Sequence, residues 1–240
     1  MNARLKNQLS YLFFILLAIL AFYTVFRDND MAMVVASLKK MKLSYLLAAA
    51  GIALLFTMME GVMIWYLLRG LQGRAVLKDC IRYSFVGFLY SGITPSATGG
   101  QPMQLYHMKR DGNDLSASTV VLMTVALVYK LVLVLMGIAM VLFGFSVLKE
   151  NLGSYLHLFY LGMFLNTALV AVLFIVMVFP AFARWMILAI EKLLVKMRIM
   201  KKSEYRTDKI YRFIQSYQNA VHFLLQNKKQ VAVVLIATFG

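Results

Sequence analysis

The chain has 240 residues, of which 62% are hydrophobic and 15% charged, with 25 Lys and Arg against 10 Asp and Glu for a formal net charge of +15. Apolar runs of twenty residues exclude an ordinary soluble domain, so the excess of basic residues is read as membrane topology and no nucleic-acid partner is expected. The single Cys80 rules out an intrachain disulfide, and His107, His157 and His222 lack metal-ligand spacing, so no metal, cofactor or catalytic residue is assigned.

The first apolar run, residues 9–26, lies between Arg4 and Lys6 on one side and Asp28 and Asp30 on the other. It is too long for a signal-peptide core and is taken as a retained helix with a cytoplasmic N-terminus. Residues 31–42 are short and end in lysines, as a segment on the outer interface would. A second span over 43–68 returns to the cytoplasm, where Arg69, Arg74, Lys78 and Arg82 gather. Residues 115–148 are apolar for longer than one upright helix needs, so this span must tilt, break or project. After a polar turn at 149–154, the span 155–179 comes back in and stops at Pro180.

Eleven of the 25 Lys and Arg fall between Arg184 and Lys229. This cytoplasmic segment holds two amphipathic patterns. In the first, Trp185 and Leu188 are mixed with Arg184, Lys192, Lys196 and Arg198, as in a helix within the headgroup layer. In the second, Ile210, Phe213, Ile214, Tyr217, Val221 and Leu224 share one face, with Arg206, Lys209 and Arg212 elsewhere. The basic residues either form a solvated connection resting on the membrane or recruit anionic headgroups. A further apolar run starts at Val231, and its nine residues to Phe239 are too few to cross a bilayer, so a longer membrane protein is expected.

Residues 83–110 break this regularity. The stretch carries Pro95 and Pro102, two of the chain's three prolines, with Gly99 and Gly100 between them. Backbone released from a helix at membrane depth must be buried in protein or line a wet cavity. The pattern predicts a re-entrant pair of half-helices, the first over 83–94 and stopped by Pro95. Twelve residues reach roughly 18 Å, against a hydrocarbon core of about 30 Å. The second half is expected to start in a capping box from Thr98 to Gln101, with Pro102 in its first turn. Its N-terminal amides and dipole would attract an anion, with Gly99 and Gly100 leaving room for a lipid phosphate. With this pair re-entrant, about 19 Lys and Arg lie on the cytoplasmic side and about five outside, leaving Lys130 within the membrane. A kinked transmembrane helix with glycine packing is the plainer alternative.

Glu60 and Lys130 lie inside predicted spans. Ionisable groups there cost at least about 2.5 to 3.5 kcal/mol, so they face a cavity, a headgroup or one another. Their depths differ by about 6 Å at helical rise, which allows a structural Glu60–Lys130 bridge as well as a role in guiding a charged headgroup.

The run Thr94-Pro95-Ser96-Ala97-Thr98-Gly99-Gly100-Gln101-Pro102, followed by Tyr106 and Lys109-Arg110-Asp111-Gly112, resembles the lysylphosphatidylglycerol synthase/flippase transmembrane family. This is the membrane part of the multiple peptide resistance factor and of stand-alone flippase-like proteins. The resemblance extends over nearly the whole chain. It implies an all-α, polytopic, multi-pass protein of the bacterial inner membrane that handles an anionic or aminoacylated phospholipid. The best-known activity is translocation of aminoacylated phosphatidylglycerol to the outer leaflet, which confers resistance to cationic antimicrobial peptides. The family's membrane region usually runs longer than this chain, and its soluble domain that uses aminoacyl-tRNA is not in these 240 residues.

The expected phosphate-binding set is Ser96, Thr98, Gly99, Gly100, Gln101, Lys109 and Arg110. The last two would gather the lipid at the cytoplasmic mouth, and Glu60 or Lys130 would meet its headgroup inside. No G-x-x-x-x-G-K-[ST] motif is present. A membrane enzyme acting on a lipid or polyprenyl carrier, with Glu60, Asp79 or Asp111 as acid or base, is a second reading. A structural subunit is a third, and a homo-oligomer is left open.

Overall fold

The computed structural model describes residues 41–73, 75–94, 97–179 and 204–239, together with Tyr23, 181–182, 184–186 and 189. The first apolar run, most of the outer segment 31–42, Pro95, Ser96 and most of the first amphipathic pattern lie outside these residues. Among the described residues there are helices and turns and no strand, so the chain is all-α.

Helix α1, Leu43–Gln72, closes at Gly73, whose φ of +70° is the left-handed geometry that ends helices without a Cβ penalty. The Gly73 amide donates to Arg69 O at 2.9 Å, and the Arg69 guanidinium lies 5.3 Å from the Trp65 ring. The Trp65 indole N–H reaches over the turn to Ala75 O at 3.2 Å. Helix α2 runs Leu77–Ile93 and α3 runs Gly100–Arg110. The first half-helix therefore begins at Leu77, six residues before the expected Tyr83. After α3 the chain turns through Gly112, φ +87°, while the Asn113 side chain donates to Met108 O at 3.0 Å.

Helix α4, Leu115–Phe143, starts at an N-cap aspartate, Asp114, whose carboxylate accepts from the Ala117 amide at 2.8 Å. The long third run breaks at Gly144; α5, Phe145–Leu152, continues as a separate short helix, and a 3-10 turn, Gly153–Tyr155, leads into α6, Leu156–Val178. Helix α7, Glu204–Gln226, is followed after Asn227 by α8, Lys228–Phe239.

Among the described residues three helices, α1, α4 and α6, are long and apolar enough to cross a membrane. Their exposed faces carry large apolar side chains such as Leu47, Leu54, Leu135, Phe164 and Leu169, which suits lipid and not water. Hydroxyls within the spans bond back along their own helix: Thr57 to Ala53 O at 2.9 Å, Thr119 to Leu115 O and Thr124 to Val120 O, both at 2.7 Å. Such bonds satisfy polar groups where no water is available. The chain is a membrane protein.

The molecule divides into two compact units, one formed from residues up to Val62 with Leu77–His107, the other from Met63–Val76 with Met108 onward. In the second unit α4 is the hub, packed by α6, α7 and α8. The apolar face of α7, with Ile214, Tyr217, Ala220, Val221 and Leu224, is buried there. The Ser116 hydroxyl donates to Phe213 O at 3.2 Å, and the Tyr217 phenol donates to Val176 O at 3.2 Å, tying α7 to both α4 and α6. The second amphipathic pattern thus spends most of its apolar face on protein, while Arg212 stays exposed.

Candidate functional site

The first unit is built on close crossings at glycines. A Cβ on Gly61 of α1 would stand 2.6 Å from Ile81 Cα of α2, so the two backbones touch where these helices cross. A Cβ on Gly100 would meet the Ser91 hydroxyl and lie 2.8 Å from Gly87 O, and one on Gly87 would run into the Gln104 amide. Residues 91 and 87 of α2 thus face 100 and 104 of α3 in antiparallel order, which makes α2 and α3 a hairpin. With 17 and 11 residues, its arms reach roughly 25 and 16 Å, each short of a hydrocarbon core of about 30 Å.

The bend is held by a hydroxyl. Thr94 Oγ1 donates to Tyr90 O at 2.6 Å and accepts from the Gly99 amide at 2.9 Å. Ala97 sits between them at φ +55°, a left-handed conformation that costs a residue with a Cβ about 1–2 kcal/mol. The observed start of α3 at Gly100 makes Gly99 its N-cap, one residue later than a Thr98–Gln101 box requires. Of the four amides that a helix start leaves unpaired, Gly99's is taken by Thr94 and Pro102 has none, so those of Gly100 and Gln101 remain without a partner among the described residues.

One turn into α3, Gln104 is 3% exposed, and its amide donates to Glu60 Oε1 of α1 at 2.8 Å. A carboxylate, an amide side chain and two backbone N–H groups are therefore collected within about one helical turn, roughly 6 Å, of the start of α3. The space beside Gly99 and Gly100 expected for a lipid phosphate is instead taken by Thr94 and by Ser91 with Gly87 O, because these glycines admit neighbouring protein atoms, which leaves the N–H direction of Gly100 and Gln101 as the approach to the amides.

The remaining sequence-predicted residues are placed as follows. Pro95 and Ser96 lie outside the described residues, and Thr98 is exposed in the turn. Pro102 falls in the first turn of α3. Lys109 and Arg110 are exposed in its last turn, roughly 13–15 Å along the helix from Gly100, where they complement the dipole and cannot share one phosphate with the first turn. Arg110 Nε lies 3.5 Å from the Asp111 carboxylate, and Asp79 pairs with Arg82 at 3.2 Å. Glu60 and Lys130 belong to different units, and each finds a neutral amide in its own: Gln104 for Glu60, and Asn166, at 3.3 Å, for Lys130.

The sequence model of the lysylphosphatidylglycerol synthase TM region matches residues 9–240. The chain belongs to this family. No curated protein and no solved structure matches it significantly. The matched residues include those described in both units. Sequence reasoning missed Thr94, Gln104, Gly61 and Gly87. The one available signal was spacing: Gly100 and Gln104, four apart on a helix, share a face, so a glycine that admits a neighbouring backbone places the glutamine beside the same neighbour.

Proposed function

We propose that the protein translocates phospholipid, and that its substrate is an aminoacylated phosphatidylglycerol moved to the outer leaflet. The observation that carries this reading is the pairing of opposite recognition chemistries in the first unit. The Gly100 and Gln101 amides, at the positive end of α3, suit a phosphate; Glu60, oriented by Gln104, suits an ammonium group. An aminoacylated glycerophospholipid carries both charges in one headgroup. Lys109 and Arg110 gather the lipid at the cytoplasmic mouth, and the acyl chains stay in the bilayer. The physiological consequence is a less negative outer surface and resistance to cationic antimicrobial peptides.

The test is a leaflet assay on the purified chain in liposomes containing labelled lysyl-phosphatidylglycerol, phosphatidylglycerol or phosphatidylcholine. Facilitated movement of the lysyl lipid, lost with Gly100→Val and reduced at least tenfold by Glu60→Gln, supports the proposal. Turnover of lipid covalent chemistry without movement supports the membrane-enzyme reading, and equal movement of all three lipids removes the substrate assignment.

A further inference from the structure

The second unit holds a charge that this account of the hairpin does not use. Lys130 stands fifteen residues after the first and thirteen before the last residue of α4, Leu115–Phe143. At helical rise it is roughly 20 Å from either end, near the midplane if α4 crosses the bilayer. A stem of four methylenes cannot carry its ammonium to either interface. Its partner is equally central: Asn166 lies ten residues from the start and twelve from the end of α6, Leu156–Val178.

Among the described residues Lys130 has one hydrogen-bond partner, Asn166 Oδ1, and at 3.3 Å that bond is long for a charged donor. Asn166 spends one N–H on Gly162 O at 2.9 Å and offers the ammonium a carbonyl dipole and no countercharge. The ammonium keeps two N–H groups. Around this pair the surface is apolar and open: Leu133, one turn along α4, and Leu165 and Leu169 beside Asn166 on α6 are all exposed. A cation at mid-span, held by a neutral amide and bordered by exposed leucines, lacks among the described residues the anion that such sites require.

We propose that Lys130 and Asn166 form an anion-binding station on the α4–α6 face and that its ligand is the phosphate of an anionic phospholipid. The leucines receive the acyl chains, and Asn166 aims the ammonium. A purely structural bridge between α4 and α6 would be kept or strengthened by a full negative charge at position 166, whereas a phosphate site would be filled from within and lost. The station rests on the lipid-handling reading for the identity of its ligand only.

The experiment purifies the full chain from mixed micelles of phosphatidylglycerol and phosphatidylcholine at equal amounts and measures the lipid that stays bound, with Tm recorded in parallel. Wild type and Lys130→Arg should enrich phosphatidylglycerol several-fold. Lys130→Met and Asn166→Asp should each retain about one phosphatidylglycerol fewer per chain than wild type, with Tm of Asn166→Asp at or above wild type. Unchanged enrichment in Asn166→Asp overturns the proposal. So does a chloride-dependent Tm that Asn166→Asp abolishes while lipid enrichment persists, since that identifies a free-anion site. Retention is read without movement: a wild-type chain that translocates but shows no enrichment rejects this station alone, and a wild-type chain that shows enrichment but does not translocate rejects the transport reading alone.

Discussion

The two units hold themselves together by different means. In the first, helices meet at Gly61, Gly87 and Gly100, backbone against backbone or amide, and a polar contact between helices involves a carboxylate, Glu60 with Gln104. In the second, α7 is seated on α4 and α6 by interdigitating side chains such as Ile214 and Leu224 and by neutral hydroxyl-to-carbonyl bonds. The crossings at Gly61 and Gly100 leave no slack, because whatever replaces the hydrogen collides with main chain that cannot rotate away; side-chain packing can be rearranged at moderate cost. The difference assigns rigidity to the hairpin, where headgroup chemistry is proposed, and tolerance to the second unit.

Substitutions sharpen that contrast in descending order of effect. Gly61→Val drives a side chain into the Ile81 backbone and should cost about 3 kcal/mol or more, read as a large drop in Tm, whereas Gly92→Ala, with nothing within 4 Å of a Cβ, should change Tm little. Equal tolerance at the two glycines would break the comparison. Gln104→Leu removes the donor to Glu60 and strands a carboxylate, at about 1.5–3 kcal/mol; in a double-mutant cycle, adding Glu60→Leu should recover a good part of the loss.

Tyr217 tests the scaffold. Burial pushes its phenol up to about 12, above the ordinary value near 10, so the folded state keeps a proton that the unfolded state releases. Its contribution is complete below pH 10 and is lost as pH rises from about 10 to about 12. Tyr217→Phe should therefore cost about 1 kcal/mol at neutral pH through the missing bond to Val176 O and flatten the fall in Tm over that alkaline window. The smallest effect is expected at the bend. Ala97→Gly relieves a left-handed alanine while loosening the unfolded chain, so Tm should move by less than about 1 kcal/mol equivalent, upward if strain dominates.

Much of this was legible in the residues. The spans announce themselves because lipid demands long apolar helices, and the broken hairpin shows because Pro95, Pro102 and adjacent glycines cannot continue one. The bond from Gln104 to Glu60 was not legible, since it joins residues 44 apart that only a folded crossing brings together. Lys130 was visible as an intramembrane charge, but its partner, Asn166, sits in a run that reads as plain span. The docking of α7 shows a limit of another kind. An amphipathic pattern records that one face avoids water, and a protein surface satisfies it as well as a membrane does. Thr94 was hidden for a local reason: its hydroxyl serves two backbone groups at once, and neighbouring Thr98 carried the more familiar capping spacing.

The account depends most on the α2–α3 hairpin entering and leaving on one side of the membrane. In a Cys80→Ser background, single cysteines at Val76, Ala97 and Asp111 in oriented vesicles test this with a membrane-impermeant maleimide. Labelling of Val76→Cys and Asp111→Cys from the same face, with Ala97→Cys slow from either, is the predicted result. Labelling of positions 76 and 111 from opposite faces would contradict it, because the segment between them would then cross the bilayer.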